Sequence, residues 1–191
     1  MGRKIKILKI EDNLPSQFVQ PFSVFYEENS KKKRWDCIKT HDSVACILYH
    51  SEKKELVLVK QFRPSVYMHD QKTDGFTYEI CAGLLDKEKS DEQTMQEEIL
   101  EECGYDVPLS RIERLFHFYM GVGFAGAKQT LFFAEIDESM KKEKGGGIND
   151  EFIEVFHLPI SQAKEFMYDS SKPKTAGTMF AIIWLFDKYK F

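Results

Sequence analysis

The chain has 191 residues, 42% of them hydrophobic and 14% aromatic, which is enough to bury the core of one domain of ordinary to large size. Its formal net charge of −4 argues against general binding to nucleic acids or to anionic membranes. Its 4 cysteines are too few for a disulfide scaffold and lack C-x-x-C pairing, and no apolar run is long enough to span a bilayer. Since the start of the chain also lacks the apolar block of a signal peptide, we expect a cytoplasmic protein.

The first forty residues predict a small antiparallel β extension. Alternating or compact apolar patterns predict three short strands, at residues 4–10, 22–26 and 35–39. The basic run at residues 31–34 is interpreted as a solvated hairpin end. We therefore expect residues 1–40 to form an extension of a domain that occupies residues 41–191.

The rest of the chain combines many strands with a few helices. Short apolar runs predict six strands, at residues 43–49, 56–62, 76–81, 112–118, 129–136 and 154–158. Three helices are predicted, one after Ser90 and two at residues 161–168 and 178–189. The run 141–150 is rich in glycine and lysine and has the composition of a mobile surface loop. This order of elements predicts a mixed α+β sandwich.

The central helix carries an unusual set of charges. Ser90 is a typical helix N-cap that opens a capping box, and Gly104 is a typical helix end. Glu98, Glu101 and Glu102 share one face near the C-terminal end, where like charges repel one another and the helix dipole disfavours anions. A hard divalent cation such as Mg²⁺, bound through carboxylates and substrate phosphates, would compensate them. The alternative is an ordinary solvated acidic face.

Two glycines frame these glutamates at a fixed separation. The stretch from Gly83 to Gly104 resembles the Nudix box, G-x5-E-x7-R-E-U-x-E-E-x-G-U, in which U is a bulky apolar residue. Two positions depart from this pattern, because Lys89 stands where the family has Glu and Glu97 stands where it has Arg. We expect that the family's structural ion pair is kept with its charges exchanged; the alternative is that the pair is lost.

The resemblance implies a Nudix fold, an α/β/α sandwich with a mixed sheet, and Mg²⁺-dependent hydrolysis of a diphosphate, with Mn²⁺ able to replace Mg²⁺. Three runs resemble the branch that hydrolyses ADP-ribose and nucleoside-diphosphate sugars, at residues 59–64, 78–83 and 151–155. Further runs are most similar to its UDP-sugar members, at residues 39–44, 121–123, 145–147 and 173–175. The expected substrate is therefore UDP-glucose, cleaved to UMP and a sugar 1-phosphate. ADP-ribose, cleaved to AMP and ribose 5-phosphate, is the alternative, and a catalytically weak binding module is a second one.

The same resemblance implies metal ligands and a general base. The implied ligands are the carbonyl of Ala82 and the carboxylates of Glu98, Glu101 and Glu102. Glu101 is also expected to assist catalysis. The general base is expected to be Glu151, or else its neighbour Asp150, carried on the glycine-rich loop so that closure expels water.

Four residues are implied to bind the substrate. Trp35 would stack on the nucleobase and Asp36 would bind the base or ribose, although Trp35 is also a candidate for ordinary packing of the β extension. Arg63 would hold a phosphate with its bidentate fork, unless it only caps a strand end. Glu79 would lie near the metals, unless it pairs with a neighbouring cation. Members of this branch pair through the β extension, so we expect a homodimer.

Overall fold

The structure is a computed structural model that describes residues 5–11, 16, 18–70, 72–148 and 151–191. The chain forms two compact units. The first combines residues 1–41 with 120–127, and the second combines residues 42–119 with 128–191. Within the described residues, no helix is both long enough and apolar enough to cross a membrane.

The first unit is built on a β-hairpin. Strand β1 (Gln20–Glu28) pairs antiparallel with β2 (Lys31–Lys39) across a two-residue turn, Asn29 and Ser30, whose φ angles are 52° and 61°. Positive φ at both positions matches the right-handed twist of a hairpin, and Asn tolerates it better than most residues. The basic run 31–34 therefore lies inside β2, and the prediction that it forms the hairpin end is wrong.

The predicted strand at residues 4–10 is also wrong wherever the structure describes it. Residues 5–10 belong to no strand, and Lys4 lies outside the described residues. The alternation of lysines with apolar residues has the right period, but no face is available to bury it, since Leu8 and Ile10 remain exposed. Without a partner strand or a packed face, such a pattern is not stable as a strand.

The main sheet of the second unit is mixed. Its strands are β3 (Ser43–His50), β4 (Glu55–Phe62), β5 (Phe76–Glu79), β6 (Cys81–Leu84), β7 (Glu113–Met120), β8 (Ala127–Ile136) and β9 (Glu154–Pro159). Their order is β5-β4-β3-β8-β7, with β6 also paired to β3 and β9 to β4. The pairing of β3 with β8 is parallel, whereas β3 pairs antiparallel with β4 and β6. The predicted mixed sheet is confirmed.

Within the part of the chain that the structure describes, four α-helices flank this sheet. They are α1 (Pro64–His69), α2 (Asp91–Glu98), α3 (Ile160–Tyr168) and α4 (Ala176–Tyr189). Helix α2 continues directly into a π-helical turn, Ile99–Cys103. The sequence patterns did not predict α1, which is short, has no buried residue and begins with Pro64 at its first position, where the missing N–H costs nothing.

The central strand β3 shows how the layers are held together. Its side chains alternate between two hydrophobic clusters, one with Val44, Cys46 and Leu48 and the other with Ala45, Ile47 and Tyr49. The first cluster also contains Met95 and Ile99 from α2 and its π-helical turn, and the second contains Ile182 from α4. Successive residues of a strand point to opposite faces, so helices cover both sides of the sheet. The expected α/β/α sandwich is confirmed.

Candidate functional site

Helix α2 begins as predicted. The hydroxyl of Ser90 accepts the N–H of Gln93 at 3.2 Å, and the side chain of Gln93 accepts the N–H of Ser90 at 3.1 Å, which completes the capping box. Asp91 in the first turn accepts a hydrogen bond from Arg114 at 2.6 Å. The acids at the start of the helix thus have both the dipole and a cation to stabilise them, whereas the last turn of α2 has no basic residue.

The π-helical turn fixes the acidic end of the helix to the core. Ile99 and Cys103, like Met95 before them, are fully buried. Glu102 lies between these anchors in the sequence and is buried with them, with only 5% of its surface exposed. A π-helical turn within an α-helix often marks a functional site. Here it holds a carboxylate in the protein interior.

Gly83 leaves the space that the Glu98 carboxylate occupies. A Cβ atom added to Gly83 would lie 2.2 Å from both Cδ and Oε1 of Glu98, far inside van der Waals contact. Any side chain at this position would therefore displace the carboxylate. This close approach is the physical reason for the first glycine of the motif.

Glu102 is held by the strand that precedes the motif. One carboxylate oxygen, Oε2, accepts the N–H of Ala82 in β6 at 3.1 Å. Burial raises the pKa of Glu102 to about 8, against the opposing effect of hydrogen bonds from the Cys81 thiol and the Ala82 N–H, and the negative charges of Glu98 and Glu151 raise it further. The resemblance implied a role for the Ala82 carbonyl; the contact in the structure is made by its N–H.

The neighbouring Glu98 has the same electrostatic character. Burial, then the charges of Glu101 and Glu151, raise the pKa of Glu98 to about 7, while Lys87 opposes them. These carboxyl groups are thus close enough to repel one another. Ionising Glu98 and Glu102 therefore costs free energy, and a bound cation would offset that cost.

The donor chemistry of this cluster fits a hard divalent ion, because all its side-chain donors are carboxylate oxygens. Among the residues that the structure describes, no three His, Cys, Asp or Glu side chains are drawn closely enough together to hold a metal ion. Glu102 instead accepts the N–H of Ala82, and the charge of Glu101 raises the pKa of Glu98. The carboxylates that the resemblance implies as ligands lie on α2 and its π-helical turn, and a cation would have to draw them closer together.

Arg63 and Glu79 form a bidentate pair. Nε and Nη2 of Arg63 donate to the two carboxylate oxygens of Glu79, each at 2.7 Å. Glu79 is buried and also accepts a hydrogen bond from the hydroxyl of Thr77. The Glu79 hydrogen bond is the largest factor that raises the pKa of Arg63, and the charges of Glu102 and Glu151 add to it. Of the two interpretations of Glu79, the structure contains the pairing with a cation, and that cation is Arg63.

The expected exchange of charges at the edge of the box is present. The ammonium group of Lys89 contacts the carboxylate of Glu97, and Lys87 lies 4.0 Å from the same carboxylate. Both members of the Lys89–Glu97 pair are partly exposed, so the pair contributes less than about 1 kcal/mol. The predicted contact is confirmed.

The glycine-rich loop is bound to the end of the helix instead of being free. The N–H groups of Gly146 and Gly147 donate to the carbonyls of Glu102 and Glu101 at 2.9 and 3.0 Å. Farther along, Oε2 of Glu151 accepts the N–H of Ile148 at 3.3 Å. The loop thus brings Glu151 to the electrostatic environment of Glu98 and Glu102. The alternative base, Asp150, lies outside the described residues, as does Asn149 beside it.

Trp35 and Asp36 lie in the hairpin of the first unit. The indole N–H of Trp35 donates to the carbonyl of Gly123 at 2.7 Å, which leaves the ring 52% exposed. Asp36 accepts hydrogen bonds from Ser23 on the facing strand and from Arg34, and these two contacts lower its pKa. Both side chains are accessible and oriented by their neighbours, as a surface for a planar ligand would require.

The sequence did not indicate two residues that contact the acidic end of the helix, Cys81 and Lys141. The thiol of Cys81 stabilises the charge of buried Glu102, and Lys141 donates to the carbonyl of Cys103 at 2.8 Å. The box pattern gave no indication of either. Cys81 lies next to Ala82, and its alternation within the strand is the only sequence signal that could have placed it beside the helix. Cys103 is a buried apolar residue, as expected.

Comparison with known proteins identifies relatives of this arrangement. The family model of the NUDIX domain matches residues 39–176. The chain is 38% identical to the uridine diphosphate glucose pyrophosphatase of Bos taurus, over 90% of this chain and 89% of that protein. It is 34% identical to the enzyme of that name in Mus musculus, over 91% of this chain and 90% of that protein. It is 40% identical to the GDP-mannose pyrophosphatase of Pectobacterium atrosepticum, over 67% of this chain and 64% of that protein.

Proposed function

The chain belongs to the NUDIX family, and on that premise we propose that it hydrolyses the diphosphate bond of UDP-sugars, converting UDP-glucose to UMP and glucose 1-phosphate. The observation that carries this proposal is the likeness to the uridine diphosphate glucose pyrophosphatases, which extends over about nine-tenths of the chain. The carboxylate cluster of α2 and its π-helical turn supports it, since Glu102 is buried and Glu98 half-buried, and burial raises the pKa of both.

Nudix hydrolases generally use divalent metal ions such as Mg²⁺, and we assign the metal site to Glu98, Glu101 and Glu102, with the Ala82 carbonyl as a further ligand. When bound, Mg²⁺ would neutralise phosphate charge and make a bound water more acidic. Mn²⁺ is the expected substitute because it accepts the same oxygen ligands. The raised pKa values of Glu98 and Glu102 support this assignment, because burial and neighbouring carboxylates outweigh the groups that stabilise their charged forms, and a bound cation would reverse that balance.

The protein's own groups have separate tasks in this reaction. Glu79 uses two N–H groups of Arg63 to fix the guanidinium plane, and the fork has five N–H donors in all. The others can bind phosphate oxygens of the diphosphate and hold it in place. We assign Glu151 as the general base that takes a proton from the attacking water, with Glu101 assisting. Water oxygen joins one phosphorus as the bridging P–O bond breaks, and the proton reaches the departing phosphate.

GDP-mannose is a second candidate substrate. It is favoured by the 40% identity to a GDP-mannose pyrophosphatase, which covers 67% of this chain. A stacking contact from Trp35 would accept either base, because every base has a π-face. ADP-ribose remains the third candidate.

An assay of the three substrates separates these candidates. Each is incubated with the purified protein and Mg²⁺, and the nucleoside monophosphate released is measured for wild type and for Glu102→Gln. Preferential release of UMP, lost in Glu102→Gln but kept in Glu165→Gln, is the expected result; Glu165 is an exposed residue of α3 and serves as the matched control. Preference for GDP-mannose or ADP-ribose would replace the proposed substrate, and no release from any of the three would overturn the enzymatic function.

We also infer that the protein is a homodimer that pairs through the hairpin of the first unit. A two-stranded sheet alone is marginally stable in water, yet Phe25 and Trp35 are 76% and 52% exposed. Light scattering on the purified protein is expected to give twice the 22.3 kDa mass of the chain. A monomeric mass together with full activity would exclude this assembly.

A further inference from the structure

One segment binds the whole C-terminal end of the acidic helix. The last carbonyls of a helix have no partner within it and must find one elsewhere. Residues 141–147, which we call the capping loop, supply the donors. Gly147 N–H binds the carbonyl of Glu101 at 3.0 Å, Gly146 N–H binds that of Glu102 at 2.9 Å, and the Lys141 ammonium binds that of Cys103 at 2.8 Å. Three consecutive carbonyls, two of them from the carboxylate cluster, thus depend on one loop.

The ammonium group of Lys141 makes a second contact besides its hydrogen bond to the Cys103 carbonyl. It lies 4.3 Å from the centre of the Tyr105 ring, directly after the helix. A cation at a helix C-terminus also offsets the dipole, which the acidic residues of this helix make worse. Neighbouring Lys142 also belongs to the capping loop and is exposed. Its backbone N–H donates to the carbonyl of Gly104, so this contact does not depend on its side chain.

The glycines of the loop set the position of Glu151. Gly146 has a φ of +124° and Gly147 a φ of +85°, both in the region that favours glycine. The carbonyl of Gly146 accepts the N–H of Ile153 at 3.0 Å, so the chain on the far side of Glu151 returns to the same residue. A Cβ atom on Gly147 would lie 2.7 Å from Cβ and 2.8 Å from Oε2 of Glu151. Gly147 therefore leaves room for the Glu151 carboxylate just as Gly83 does for Glu98.

From these contacts we propose that the capping loop is a positioning element that fixes Glu151 relative to Glu101 and Glu102, with Gly147 and Lys141 as its positioning residues. Lys141 and Gly146 attach the loop to the helix, and Gly147 both attaches it and admits the carboxylate. The proposal rests on the proposed function, because it assigns a task to Glu151 in that reaction. Neither positioning residue touches the substrate in this proposal.

Kinetics in two backgrounds test the part of the proposal that concerns Glu151. Gly147→Ala is expected to lower kcat for UDP-glucose about 10- to 100-fold with KM changed less than about 3-fold, because displacement by about 1 Å is enough for such a loss. In a Glu151→Gln background, adding Gly147→Ala is expected to cost less than about 2-fold, since the group it positions is already gone. Equal losses in both backgrounds, or a Glu151→Gln variant as active as wild type, would overturn the proposal.

Hydrogen exchange tests the attachment of the loop without relying on activity. In the protein without metal, the amides of Gly146 and Gly147 are expected to exchange slowly. Lys141→Met should speed exchange in the capping loop and at the end of the π-helical turn, while Lys142→Met should not. Exchange within seconds in wild type, or equal effects of the two variants, would contradict the attachment. Absence of hydrolysis by wild type would instead defeat the proposed function and leave this measurement valid.

Discussion

The two units of this chain place their side chains in opposite ways. The second unit buries an ionisable carboxyl group, since Glu102 has 5% of its surface exposed and burial raises its pKa to about 8 by disfavouring the charged form. The first unit exposes apolar surface, since Phe25 and Trp35 remain open to solvent on a hairpin without a core of its own. Both arrangements are unfavourable in the isolated chain. Each therefore indicates what the unit lacks: a cation for the second and a planar or apolar partner for the first.

The two units also differ in how closely their proposed functional side chains are confined. In the second unit, Gly83 and Gly147 leave spaces that the side chains of Glu98 and Glu151 occupy, and an added Cβ atom would lie within 3 Å of either side chain. In the first, Trp35 is oriented by a single hydrogen bond to Gly123. Chemistry at a phosphorus atom requires positions accurate to a fraction of an ångström, whereas stacking on a base tolerates more displacement.

The largest effect should come from removing the buried charge. Glu102→Gln keeps the shape of the side chain and its acceptor for the Ala82 N–H but replaces a proposed metal ligand, so kcat is expected to fall about 1,000-fold, or about 4 kcal/mol. Without metal, however, its melting temperature should equal or exceed that of wild type, because a neutral amide replaces a carboxyl group whose charged form is disfavoured by burial.

Calorimetry with Mg²⁺ and with EDTA checks this prediction. At about 100 times the dissociation constant, Mg²⁺ should stabilise wild type by about 2.7 kcal/mol, or about 5–10 °C, and Glu102→Gln by much less. If Glu102→Gln melts at a lower temperature than wild type when both are in EDTA, Glu102 supports the fold without metal, and the view of the cluster as a site that lacks its cation is wrong.

The next effect concerns the space beside Glu98. Gly83→Ala places a methyl group 2.2 Å from the Glu98 carboxylate, so that side chain must move, and kcat is expected to fall about 100-fold. Gly123→Ala is the matched control, since its added Cβ would meet nothing within 4 Å. Steady-state kinetics of both variants with UDP-glucose measure the difference. Equal activity of the two would mean that the position of Glu98 is unimportant to catalysis.

A smaller effect is expected in the first unit. Trp35→Ala removes a stacking surface worth about 1–3 kcal/mol per base, so KM for UDP-glucose should rise about 10-fold or more while kcat changes little. Tyr168→Ala, which removes an exposed aromatic from α3, should leave both constants unchanged. A fall in kcat with constant KM would mean that Trp35 acts in the chemical step. The assignment of base stacking to the first unit and of chemistry to the second would then be wrong.

Much of this arrangement could be predicted because it depends on local sequence. The capping box of Ser90, the face shared by Glu98 and Glu102 and the glycine at 83 follow from spacing along one helix and its preceding strand. The attachment of the capping loop could not be predicted, because it joins residues about 40 positions apart and composition alone marks the run only as a loop. The hairpin turn was misplaced for a related reason: a run of four basic residues suggested a turn, while the backbone preference of Asn29 decided it.

The smallest effect concerns Lys89 and Glu97, the two departures from the family pattern, and tests whether their ion pair stabilises the fold. Lys89→Glu and Glu97→Arg each place like charges together, so each is expected to destabilise the protein by about 0.5–1 kcal/mol, or about 1–4 °C in melting temperature. The double variant restores opposite charges in the family's own orientation and should recover most of the loss. Lys87, which lies 4.0 Å from Glu97, reduces the cost of Lys89→Glu, because it can still neutralise that carboxylate. If the double variant is no more stable than either single one, the charge-exchanged pair contributes nothing and the box is held by Gly83, the capping box and the capping loop alone.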